Sequence, residues 1–194
     1  MRSPAELRAR YERIRAEVGP AVTVVAATKY VPLAEMAVLV EAGIEVVGEN
    51  RAQELAAKHA VYGEAFRWHF IGRLQSNKVK VVNRCCELVH SLDSHSAAAR
   101  LEVPALLQVS LAGEAAKGGV APGEIVDYLR YGIRGLSTMP PAGEAEASRP
   151  WFARLRALAA EHGLGELSMG TTQDYRVAVE EGATAIRVGN VLFG

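Results

Sequence analysis

The feature that most constrains this chain is a strict alternation of short apolar, β-branched runs with stretches of helical spacing, with no two runs close enough for a hairpin. Runs at 22–30, 44–47, 67–71, 87–91, 105–109, 133–137, 166–169 and 185–188 read as strands. Helical patterns cover 33–42, 51–60, 75–83, 94–100, 122–130, 149–162 and 174–181. One more helix, over 4–18, precedes the first strand, with Ser3 as its cap and Pro4 at its first position. Strands that always return through a helix lie parallel. About eight such units fit a closed (β/α)8 TIM barrel of mixed α/β class better than an open doubly wound sheet, and no strand leads into a Gly-x-Gly-x-x-Gly turn. At 194 residues the chain sits at the small end for that fold and reads as one domain, 1–194.

Composition enters mainly as exclusion. Lys plus Arg and Asp plus Glu both number 22, so no overall field favours nucleic acid or an anionic membrane surface. The N-terminus has no apolar signal core and no run is long enough to span a bilayer, so the expected location is cytoplasmic. Cys85 and Cys86 are sequence neighbours, expected to be reduced and structural, and no Cys/His spacing suggests a metal site.

The chemistry-bearing residues fall at strand ends, which in a barrel share one mouth. Lys29 closes the first strand, where its ammonium either meets a partner or extends into solvent. Glu49-Asn50 follow the second strand; Gly72 and Gln75-Ser76-Asn77-Lys78 follow the third; Lys117-Gly118-Gly119 follow the fifth. Ser168-Met169-Gly170-Thr171-Thr172 end the seventh and Arg187-Val188-Gly189-Asn190 the eighth. Small residues and hydroxyls before helices at the last two strand ends are the usual phosphate seat of a barrel. Around a closed barrel that seat neighbours Lys29. A ligand that needs both an amine and a phosphate anchor is pyridoxal 5′-phosphate, and Arg187 is then placed to face its pyridine nitrogen or to clamp an anion.

The sequence resembles the pyridoxal phosphate homeostasis proteins of the YggS/PROSC type, single-domain barrels of the fold-type III class similar to the N-terminal domain of alanine racemase. The resemblance rests on Ala26-Ala27-Thr28-Lys29, Gly48-Glu49-Asn50 and, above all, Trp68-His69-Phe70-Ile71-Gly72-Arg73-Leu74-Gln75-Ser76-Asn77-Lys78. It continues through Lys117-Gly118-Gly119-Val120, Arg134-Gly135-Leu136-Ser137-Thr138-Met139-Pro140, Leu167-Ser168-Met169-Gly170 and Arg187-Val188-Gly189. The resemblance implies that Lys29 holds the cofactor as a Schiff base and that Asn50 lies beside it. It further implies that Ser168, Met169, Gly170, Thr171, Gly189 and Asn190 hold the phosphate while Arg187 faces the ring nitrogen. Thr171-Thr172 and Asn190 depart from the family's usual Met-Ser and Thr or Ser.

A guanidinium beside the pyridine nitrogen leaves the ring a weak electron sink, and the sequence stops at Gly194 without a second domain to supply a base or cover the mouth. The expected function is therefore carriage and homeostasis of pyridoxal phosphate, with apo-enzymes as possible recipients and the chain a monomer, rather than catalysis. The alternatives are an amino-acid racemase, with Tyr30, Tyr175 or His69 as second base to Lys29, and a phosphosugar barrel. His69 is expected to pack or to make a buried hydrogen bond, Glu49 to orient a neighbour, and Lys78 and Lys117 to be solvated mouth-side charges.

Overall fold

The computed structural model describes residues 3–113 and 118–194, so Lys117 lies outside the described residues. Eight strands close in sequence order into a parallel barrel: β1 Thr23–Ala27, β2 Val46–Glu49, β3 Arg67–Phe70, β4 Leu88–Leu92, β5 Ala105–Gln108, β6 Gly135–Ser137, β7 Glu166–Ser168 and β8 Ala185–Val188. β8 pairs back onto β1 with Arg187 beside Val25, which seats Arg187 next to the strand that leads to Lys29.

The helices are α1 Pro4–Val18, α2 Met36–Glu41, α3 Ala52–Tyr62, α4 Val79–Cys85, α5 His95–Ala98, α6 Ile125–Tyr128, α7 Arg149–Glu161, α8 Tyr175–Glu180 and α9 Asn190–Phe193. Several open with a 3-10 turn, as at Leu33–Glu35 and Ser76–Lys78, which absorbs the tight exit from a short strand. α1 begins with a reciprocal capping box between Ser3 and Glu6 and buries Leu7, Tyr11, Ile14 and Val18 at helical spacing. It packs on α2, α8 and α9, and Glu17 accepts from Tyr175 Oη at 2.5 Å and Arg176 Nε at 3.0 Å.

The first strand is shorter than the apolar run that announces it. Thr28 still donates its N–H to Gly48 O at 3.0 Å, but its carbonyl accepts from Val31 N at 2.8 Å. That closes a turn with Lys29 and Tyr30 at its centre. The barrel interior carries a polar chain: His69 Nδ1 and His90 Nε2 are 2.9 Å apart, and His90 Nδ1 and Ser168 Oγ are 2.7 Å apart. β4 and β7 are not neighbours in the barrel, so side chains from them can meet only across its inside. Burial pushes His69 down to about 4 and His90 well below the ordinary histidine range, so both rings are neutral at neutral pH. Cys85 and Cys86 are buried free thiols.

Candidate functional site

At the C-terminal mouth a cavity of about 560 Å³ is lined by residues from six strand ends, among them Lys29, Asn50, Gly72, Met139, Thr172 and Arg187. Parallel strands deliver their ends to one face, so residues far apart in sequence converge there without any long loop. Gly72 is required by close approach: a Cβ there would lie 2.1 Å from Asn50 O.

Of the residues expected at the site, Lys29, Asn50, Thr171, Arg187, Gly189 and Asn190 line this cavity. Ser168, Met169 and Gly170 do not. Ser168 and Met169 are fully buried, the serine hydroxyl engaged with His90 inside the barrel. Gly170 turns the chain at φ 93°, in the left-handed region, with Ala178 Cβ 2.6 Å from where its own Cβ would stand. Thr171 reaches the cavity wall, yet both its N–H (2.7 Å) and its hydroxyl (3.0 Å) donate to Asp174 Oδ1. The donors left at that end surround Thr172, whose Oγ1 accepts from Gly189 N and Val191 N at 3.3 Å each. These bonds lie at the long end of the range and are correspondingly weak.

Lys29 is exposed at the mouth, its ammonium 4.9 Å from the Tyr30 ring centroid, and Tyr30 itself is 82% exposed. Arg187 is the opposite case. It is buried, donates through Nη2 to Thr138 O at 2.8 Å and to Met139 Sδ at 3.2 Å, and its Nε has no partner among the described residues. Burial draws its guanidinium down to about 10, still cationic at neutral pH. Of the candidate second bases, only Tyr30 lines the cavity; His69 is buried within the barrel, and Tyr175 faces Glu17 on the outside.

Directly under the Lys29 turn lies a buried cluster of Thr28, Glu49 and Lys58, of which the sequence motifs contain the first two and not Lys58. Glu49 Oε1 accepts from Thr28 Oγ1 at 2.6 Å and from Lys58 Nζ at 2.5 Å, and Lys58 Nζ also donates to Thr28 O at 2.8 Å. Lys58 was legible in principle: it stands three residues after Leu55 on the buried face of α3.

No family model matches the sequence. A pyridoxal phosphate homeostasis protein of Aquifex aeolicus is 38% identical over 192 residues, 87% of this chain and 84% of its own length. Its namesake from Pseudomonas aeruginosa is 39% identical over 193 residues, covering 89% of this chain and 84% of that protein. PipY of Synechococcus elongatus, solved with pyridoxal phosphate bound, superposes with a TM-score of 0.89 at 34% identity, covering 97% of this chain and all of PipY. A lysine/ornithine decarboxylase from Vibrio vulnificus shares the fold alone, with a TM-score of 0.73 at 15% identity. With the eight-stranded barrel, the lysine at its mouth and relatives that match over most of their length, the chain belongs to the pyridoxal phosphate homeostasis protein family.

Proposed function

We propose that this protein binds pyridoxal 5′-phosphate in the mouth cavity, holds it reversibly as a Schiff base on Lys29, and acts in its homeostasis rather than as a catalyst. The observation that carries the reading is the pairing, in one cavity, of an accessible primary amine with a buried guanidinium that keeps an unpartnered Nε. The cofactor supplies an electrophilic aldehyde carbon. Lys29 Nζ, the exposed amine at the mouth, would be the group that holds that carbon, with the aldehyde oxygen lost as water and the capture reversed by addition of water. Arg187, buried and cationic in the same cavity, would face the ring nitrogen and keep it unprotonated. Weak hydrogen bonds from Gly189 and Val191 to Thr172 are ones a phosphate oxygen would exchange at small cost, which supports Thr172 and Gly189 as its seat, beside Asn190 on the same cavity wall.

An unprotonated ring withdraws electrons weakly from a bound amine, so carbanion chemistry is disfavoured and reversible holding is what the site does well. Apo-enzymes that need the cofactor are the proposed recipients, and the chain is proposed to act in the cytoplasm as a monomer. Among the described residues no helix is long and apolar enough to cross a membrane. An absorbance titration of purified protein with pyridoxal phosphate tests the reading: a new visible band that saturates, and is lost in Lys29→Ala, is expected. A band that persists in Lys29→Ala would move the covalent site elsewhere. A panel of single-enantiomer amino acids monitored by optical rotation separates carrier from racemase, with no change over hours expected.

A further inference from the structure

Thr28, the residue before Lys29, is held at every polar atom. Its N–H goes to Gly48 O at 3.0 Å, its hydroxyl to Glu49 Oε1 at 2.6 Å, and its carbonyl takes both Val31 N and Lys58 Nζ at 2.8 Å. Lys58 comes from the middle of α3, is 4% exposed, and does not line the mouth cavity. Its ammonium donates to Glu49 Oε1 and to the Thr28 carbonyl. Glu49 is fully buried and its Oε2 has no partner among the described residues.

A buried ion pair is a poor source of net stability, because desolvation offsets the attraction, and an orphaned carboxylate oxygen makes this one poorer. What the pair does supply is fixed geometry. Two charges, from β2 and α3, converge on Thr28, the residue that begins the Lys29 turn: Glu49 on its hydroxyl and Lys58 on its carbonyl. The following residue of β2's exit, Asn50, lines the cavity, so Glu49 ties both sides of the site to one anchor.

We infer that Lys58 is a positioning residue: through Thr28 and Glu49 it fixes where the Lys29 amine emerges, and so governs covalent capture of the aldehyde rather than binding of the phosphate. The inference rests on the reading of Lys29 as the covalent residue. Misplacing a reacting group by about 1 Å costs on the order of a hundredfold. Removing this anchor while keeping the cavity wall should therefore weaken the covalent step selectively.

The test compares two ligands on Lys58→Met and on the double variant Lys58→Met/Glu49→Gln, which removes both charges together and so avoids a lone buried carboxylate. Pyridoxal phosphate reports capture plus binding. Pyridoxine 5′-phosphate, with an alcohol in place of the aldehyde, reports binding alone. The expected result is a loss of about tenfold or more in affinity for the aldehyde, and slower borohydride trapping on Lys29, with affinity for the alcohol within about threefold of the parent. Leu55→Ala, also fully buried on α3, is the control: it lowers the melting temperature and leaves both affinities in place. Equal losses for the two ligands, or no loss for either, would overturn the inference. If the parent protein captures the aldehyde on no lysine, it is the proposed function that fails, a result distinct from both.

Discussion

Lys29 owes its accessibility to the turn that follows β1. The apolar run extends to its very neighbour, but Thr28 leaves the sheet, and the amine stands exposed beside Tyr30 rather than buried at the strand end. The sequence located the lysine and left open whether its ammonium meets a partner or extends into solvent; the lysine is exposed, on a hydrogen-bonded turn anchored by Lys58 that has no local signature. His69 is the converse: its signature position suggested a buried hydrogen bond, and it makes one to His90. That pair carries a pH prediction. The unfolded histidine takes up its proton near 6.5, whereas His69 in the fold stays neutral to about 4, so the unfolded state binds more protons between those values. Stability is full above pH 6.5 and falls as pH drops through the window, by about 3 kcal/mol over the whole of it and by about 2 kcal/mol at pH 5 for His69. Urea denaturation of the cofactor-free protein at pH 7 and pH 5 measures it, and His69→Asn should flatten the slope.

At the scale of elements, spacing alone located the helices that bury a broad face, such as α1 and α7. It missed α9, whose four residues are too few to show a period. Spacing also placed Ser168, Met169 and Gly170 at the mouth, since sequence position does not tell which way a strand end faces. Ser168 is turned into the barrel by His90, and Gly170 serves the turn into α8. The cost of filling that turn is testable. Gly170→Ala demands a left-handed backbone from alanine and drives its Cβ against Ala178 and Tyr175, so a loss of about 2 kcal/mol or more is expected. Calorimetry should register that as a melting temperature about 4–8 °C lower.

For the whole molecule, the alternation of short strands with helices called for parallel strands, and their number favoured a closed barrel over an open doubly wound sheet; the eight strands do close, with β8 paired to β1. Closure is what brings Lys29, from β1, beside the last two strands, and it makes the mouth the natural place for a ligand to stabilise the fold. Ligand at about a hundred times its dissociation constant should add about 2.7 kcal/mol to stability, with a melting temperature that rises with concentration. In Lys29→Ala the shift with pyridoxal phosphate should shrink towards that seen with the alcohol analogue.

One covalent contact, between Lys29 and the aldehyde, is central to the proposed function. The protein is mixed with pyridoxal phosphate, reduced with borohydride, digested, and its peptides mapped by mass. A pyridoxyl group on Lys29, and on no peptide of Lys29→Ala, is the predicted result. Adducts spread over surface lysines in both proteins, or none in either, would contradict the account.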